Sequence, residues 1–202
     1  MSGAGAPRSD DMSGPLVYVM GPSGAGKDSV MNRARALLHG KAPVFFAHRY
    51  ITRPADIGGE NHVALSEAEF LLRREHGLFA FDWEAHGNRY AIGCEIETWR
   101  KAGLTVVVSG SREHFLKANG LDPDTQPVLI TAPAEHLAER LAARGREDSG
   151  DAARRLGRGE AYAVDDARLV TIVNDGALEK AAEAFVSLIA RLQYSPGARR
   201  RA

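Results

Sequence analysis

Cysteine is almost absent from this sequence: Cys94 stands alone, so neither an intrachain disulfide nor a cysteine-based metal site can form. Net charge is missing too. The 26 acidic residues balance 26 basic ones, which excludes the broad single-sign field that draws a chain to nucleic acid or to an acidic membrane. No apolar run reaches the roughly 20 residues of a membrane span, and Met1–Gly14 lacks the apolar core of a secretory signal. Together these absences lead us to expect a cytoplasmic protein with no nucleic-acid and no membrane partner, its oligomeric state left open. Lysine is scarce as well. Arginine supplies most of the basic set, which suits bidentate phosphate contacts or simply reflects codon usage.

What is present fits one α/β domain of 202 residues with small inserts. Residues 1–14 are small or charged and read as a disordered leader, with the domain over 15–193 and a flexible tail over 194–202. Leu16–Met20 is an unbroken apolar run, the pattern of a strand buried on both faces. A glycine-rich turn and a helix over Gly26–His39 follow, then a strand over Val44–Tyr50. The stretch 51–93 is less regular and reads as an insert, with one helix marked by the capping box Ser66-Glu67-Ala68-Glu69. Alternation resumes with a helix at Glu95–Lys101, strands at Thr105–Val108 and Val128–Thr131, and a helix from Pro133 to Arg144. Residues 145–160 are charged or small and read as a second insert. A strand at Arg168–Val173 and an amphipathic helix at Ala177–Leu192 close the domain. The expected fold class is α/β, a doubly wound parallel sheet of five strands.

Gly21-Pro22-Ser23-Gly24-Ala25-Gly26-Lys27 satisfies the first seven positions of the P-loop pattern, in the strand–turn–helix context that pattern requires. Glycines let backbone N–H groups converge on phosphates, the helix N-terminus adds its positive dipole, and Lys27 reaches the β and γ oxygens of ATP. The eighth position, ordinarily Ser or Thr for Mg²⁺, is Asp28, followed by Ser29. Asp28 either complements the helix dipole by its charge or ligates Mg²⁺ directly or through water, and Ser29 is the other candidate metal ligand.

Further pieces follow in order. They are Tyr50-Ile51-Thr52-Arg53-Pro54, Gly87-Asn88-Arg89-Tyr90, Glu139–Gly145 with Arg154-Arg155-Leu156, and Val173-Asn174-Asp175. With the loop, they give the chain a resemblance to the guanylate kinase family over nearly all of Leu16–Leu192. The resemblance implies that Lys27, Arg144 and Arg155 are catalytic, neutralising a phosphoryl group in flight. It implies that Gly21–Ser29, Arg140 and Asn174 bind ATP, Asn174 near the adenine. Arg53 and Tyr90 would hold an acceptor phosphate, and 145–160 would form a lid. Arg140 and Arg154 also suit a solvated helix face.

The departures point to a different acceptor. A guanine-reading glutamate of that family falls at Phe81, and its Asp-x-Asp after the central strand becomes Ser109-Gly110-Ser111. A pocket without those carboxylates has no reason to hold guanine. Gly21–Ser29 with Asp28, His48–Pro54, Gly59-Glu60-Asn61-His62 and Ser109-Gly110-Ser111-Arg112 together resemble the ribose 1,5-bisphosphate phosphokinase family. That resemblance implies a Mg²⁺- and ATP-dependent kinase forming 5-phosphoribosyl 1-diphosphate (PRPP) in phosphonate catabolism. A ribose with phosphates at both ends needs cations in two places and hydroxyl partners between. Arg53, Arg112, His62 and Arg49 are the candidates for the first role, with His48 and Arg89 also available; Tyr90 keeps the phosphate-holding role that the guanylate kinase resemblance implies. Asn61, Ser109 and Ser111 are the neutral partners. His48 and Arg49 also suit pairing with a neighbour, and Arg89 a solvated turn. Two alternatives stay open: a kinase for another nucleoside or sugar phosphate, and a non-catalytic guanylate-kinase-like binding module.

Overall fold

The structure, a computed structural model, describes residues 13–54, 62–118, 121–143 and 163–194. Expectations for Asn61, Arg144, Arg154, Arg155 and the 145–160 insert lie outside those residues.

In chain order the first half comprises strand β1 (Leu16–Met20), helix α1 (Lys27–Leu38), strands β2 (Val44–Phe46), β3 (Arg49–Ile51) and β4 (His62–Ala64), and helix α2 (Glu67–Glu75). Strands β5 (Phe79–Ala85) and β6 (Asn88–Gly93), helix α3 (Glu95–Lys101), strand β7 (Thr105–Ser109) and helix α4 (Arg112–Lys117) come next. The chain closes with β8 (Thr125–Thr131), α5 (Ala134–Ala143), β9 (Val170–Val173) and the long helix α6 (Leu178–Tyr194). Five parallel strands form one sheet in the order β2-β7-β1-β8-β9, as the α/β alternation predicts.

Burial on both faces explains why β1 is apolar throughout. Val17 and Val19 join the core under α1, α5 and α6, with Val30, Ala34, Leu137, Phe185 and Ile189. Leu16, Tyr18 and Met20 point the other way, into a second core with Ile92, Ile96, Val108 and Phe115. Each such aliphatic side chain, fully withdrawn from water, contributes roughly 1.5–3 kcal/mol. Tyr18 is the one residue of the run with a polar tip, and that tip needs a partner.

The insert after β2 is a second sheet, with strand order β4-β3-β6-β5. Helix α2 covers it, burying Phe70 against Leu65 and Ala91, and its cap forms as the sequence predicts: Ser66 Oγ accepts the Glu69 N–H at 3.2 Å. Val44–Tyr50, read from sequence as one strand, is two. The Ala47 N–H still bonds the Val107 carbonyl at 2.9 Å, after which the chain leaves the first sheet and enters the second at Arg49. Helix α4 has only six residues, too few for periodicity to reveal. The last strand begins at Val170 and not at Arg168, because Arg168 is turned back. Its guanidinium bonds the Asp166 carboxylate (2.7 Å) and the carbonyls of Pro123 (3.0 Å) and Thr125 (3.2 Å). Gly14, at the end of the expected leader, is tied down by Arg100: its N–H bonds the Arg100 carbonyl and its own carbonyl accepts Arg100 Nε. Among the described residues no helix is long and apolar enough to cross a membrane.

Candidate active site

β1 delivers the chain to the glycine-rich turn at the carboxyl edge of the central strand, where open parallel sheets bind their ligands. Gly26 caps α1 in the left-handed conformation, φ 79°. Only glycine fits there for a second reason: a Cβ would lie 2.5 Å from Asn174 Nδ2. That amide is occupied, donating to the Ala25 carbonyl at 2.9 Å in a buried bond. Asn174 follows β9 and is fixed in turn, its N–H bonding the Thr131 carbonyl at 2.7 Å. The Asn174 carbonyl accepts one amino group of Arg140 at 3.3 Å. The other Arg140 amino group is buried with no hydrogen-bond partner among the described residues, and lies 3.8 Å from where a Gly26 Cβ would stand. A buried cationic donor without an acceptor is costly, and an anion beside the loop would satisfy it. Lys27 Nζ reaches back across the turn to the Gly21 carbonyl at 3.2 Å. Asp28 is half-buried in the first turn of α1, whereas Ser29 is exposed.

Across β1 the acceptor-side candidates gather on the second sheet and α4. Trp83 of β5 stacks on Tyr90 of β6, ring centres 5.6 Å apart and nearly parallel, with the Arg49 guanidinium over the other partner, Tyr90, at 5.5 Å. Arg53 and His62 are brought together, His62 Nε2 lying 3.1 Å from the Arg53 carbonyl. Arg112 is half-buried at the start of α4. Arg89 is engaged elsewhere, by the carboxylates of Glu67 and Glu84, whose bonding holds its pKa above the ordinary arginine value. A hollow of about 370 Å³ beside it, lined by Glu67, Glu84 and His86, has the wrong charge for phosphates.

Ser109 and Ser111 flank a close approach. A Cβ on Gly110 would fall 2.0 Å from the Tyr18 ring, so the β7–α4 turn can pass Tyr18 only with glycine there. The Ser109 hydroxyl is buried with no partner among the described residues. The Ser111 N–H bonds the Tyr18 hydroxyl at 3.1 Å, and the Ser111 side chain accepts the His114 N–H at 3.4 Å to cap α4. His114 Nδ1 lies 3.0 Å from the same hydroxyl. The His114 ring sits among Tyr18, Phe81 and Trp83, at 6.1, 5.8 and 5.4 Å between centres. Burial pushes the Tyr18 phenol up, so it keeps its proton, and burial likewise lowers His114 below the usual histidine range. Sequence reasoning did not single out His114 or Tyr18. The one available signal was a lone phenol in an aliphatic strand.

The profile of a family described as AAA domain matches residues 17–163. A curated relative from Desulfomicrobium baculatum, named ribose 1,5-bisphosphate phosphokinase PhnN, is 55% identical over 174 residues, 86% of this chain and 93% of the relative. One of the same name from Thiobacillus denitrificans is 48% identical over 176 residues, 87% of this chain and 93% of the relative. Among solved structures, a guanylate kinase from Anaplasma phagocytophilum superposes with a TM-score of 0.69 at 19% identity, covering 93% of this chain and 90% of that one. At that identity the superposition establishes the fold alone. The chain belongs to the ribose 1,5-bisphosphate phosphokinase family, on a guanylate-kinase-like P-loop fold.

Proposed function

We propose that this protein transfers the γ-phosphoryl group of ATP onto the 1-phosphate of ribose 1,5-bisphosphate, giving PRPP and ADP. Phe81 carries this reading most directly. At the position where the guanylate kinase resemblance expects a guanine-reading carboxylate, its ring packs edge-on to Tyr18 at 6.3 Å and against His114 at 5.8 Å. The neighbouring Asp82 is exposed, with its carboxylate 3.8 Å from Arg74. A purine edge has no acceptor there, and a donor buried without an acceptor costs binding free energy.

The chemistry needs little from the protein beyond placement and charge. An oxygen of the acceptor's 1-phosphate, already ionised at pH 7, attacks the γ phosphorus, and the bond from that phosphorus to the β-bridging oxygen breaks. No proton has to be removed by a side chain. Residues Gly21–Ser29 would cradle the nucleotide phosphates, with Lys27 leaving the Gly21 carbonyl for the β and γ oxygens. Arg140 would meet its missing acceptor in the nucleotide. Arg144 and Arg155 would neutralise the group in flight, closing with the 145–160 lid. On the acceptor side, Arg53, His62, Arg49, Arg112 and Tyr90 would hold phosphate, and Asn61, Ser109 and Ser111 the sugar. Of these, Ser109 has the strongest support, from its buried hydroxyl without a partner.

The residues fit a bound Mg²⁺. Among the described residues no group of three metal-ligating side chains exists, but Mg²⁺ in kinases takes most of its ligands from phosphates and water with one or two carboxylates. Half-buried Asp28 suits that part better than exposed Ser29. When bound, the ion draws off phosphate charge as the transfer proceeds.

Product identification tests the proposal. With ATP, Mg²⁺ and ribose 1,5-bisphosphate, phosphorus NMR should reveal a new diphosphate together with ADP. ATP turned over with no diphosphate formed on the sugar would reject it.

A further inference from the structure

Tyr18 belongs to the strand that ends in the phosphate loop, yet its side chain points away from α1 toward the acceptor-side sheet. Its hydroxyl touches three groups of the β7–α4 turn: the Ser111 N–H at 3.1 Å, the Ser111 carbonyl at 3.1 Å and His114 Nδ1 at 3.0 Å. A phenol has one proton to give and accepts others. It accepts from the Ser111 N–H. The Ser111 carbonyl already takes the Phe115 N–H at 3.0 Å, whereas Nδ1 has no other described partner. Either the Ser111 carbonyl or Nδ1 can take the Tyr18 proton; when Nδ1 takes it, the neutral imidazole carries its own proton on Nε2. Trp83 and Phe81 hold the ring from the acceptor-side sheet. No described residue bonds Nε2, and the buried Ser109 hydroxyl, equally without a described partner, stands at the end of the strand that leads into this turn.

We propose that His114 determines acceptor specificity, presenting Nε2–H from a ring fixed by Tyr18 and Trp83 to a hydroxyl oxygen of the ribose. This rests on the kinase reading above. Charge divides the labour. Arginines answer the two phosphates, while a ring whose protonation is opposed by burial offers the sugar a neutral donor of fixed direction. Phe81, packed on the same ring, stands where a purine would require a carboxylate.

The test uses the full-length chain and three variants. His114→Phe keeps the ring's packing and lets Tyr18 donate to Ser111, so the fold is preserved. His114→Gln places an N–H near the position of Nε2, and His114→Asn mimics only Nδ1. Losing one well-placed hydrogen bond should raise the KM for ribose 1,5-bisphosphate about tenfold in His114→Phe and His114→Asn, with the KM for ATP unmoved and partial recovery in His114→Gln. Either 2-deoxy- or 3-deoxyribose 1,5-bisphosphate should lose about the same factor with the wild type, and much less with His114→Phe. If the wild type fails to phosphorylate ribose 1,5-bisphosphate, the kinase reading falls and this inference with it. With an active wild type, an acceptor KM within about twofold in His114→Phe overturns the inference alone. So does an equal penalty for both deoxy acceptors in wild type and variant.

Discussion

The Asn174 side chain donates its amide N–H to the Ala25 carbonyl across 2.9 Å, joining the end of β9 to the phosphate loop 149 residues earlier in the chain. The bond is buried, so the loop is shaped from outside itself before any nucleotide arrives. Removing it leaves a loop carbonyl unpaired, which costs about 1–3 kcal/mol. Asn174→Ala should therefore lower the melting temperature and raise the KM for ATP together. If Asn174 serves only the adenine, the KM will rise while the melting temperature holds.

Asp28 stands where the P-loop pattern expects a hydroxyl. As a Mg²⁺ ligand, its replacement in Asp28→Asn should raise the Mg²⁺ needed for half-maximal rate while the fold stays intact. As a helix-dipole partner only, the same change would lower stability by about 0.3–1 kcal/mol and leave the Mg²⁺ dependence alone. A magnesium titration beside a melting curve separates these outcomes.

Arg144 and Arg155 are proposed to act in the transition state, so losing either should reduce kcat more than it raises the KM for ATP. Arginines in this role contribute roughly a thousandfold or more in phosphotransferases, and we expect at least about a hundredfold loss of kcat in Arg144→Ala and in Arg155→Ala, with near-normal melting temperatures. An unchanged kcat with a raised KM would mean uniform binding of ATP.

Much of this architecture was legible in the chain. Leu16–Met20 announced a strand buried on both faces, and the glycines around Lys27 need their φ values whatever the rest of the protein does. Ser66 and Glu69 marked a helix start that the structure reproduces. What was not legible depends on partners distant in sequence. Nothing local says that the chain changes sheets at His48, because Val44–Phe46 and Arg49–Ile51 are both extended and the difference lies only in which strands pair with them. Tyr18 and His114 are 96 positions apart, and neither belongs to a motif. Arg89 is a cation in the sequence, but Glu67 and Glu84, distant along the chain or across a turn, engage it in the fold.

His114 also gives stability a pH dependence. Its folded pKa is lowered mainly by burial, with Lys117 acting in the same direction, Asp82 opposing, and the neutral Tyr18 hydroxyl facing Nδ1. The unfolded chain takes up this proton at a pH of about 6.5, and the folded chain only at lower pH. Between those values the unfolded state binds more protons, so stability falls as pH drops, until the folded pKa is passed. Melting temperatures measured downward from neutrality should decline less steeply for His114→Phe than for the wild type. Parallel declines would contradict the burial argument.

The central claim is that this kinase takes a doubly phosphorylated ribose as its acceptor and not a nucleoside monophosphate. Comparison of kcat/KM for ribose 1,5-bisphosphate and for GMP, with ATP and Mg²⁺ held constant, tests it most directly. A site whose own polar groups a ligand leaves unpaired rejects that ligand by about 10⁴-fold or more, and GMP brings no phosphate to the groups that would meet the 1-phosphate. We predict a preference for ribose 1,5-bisphosphate of that order. Equal values for the two acceptors would contradict the account.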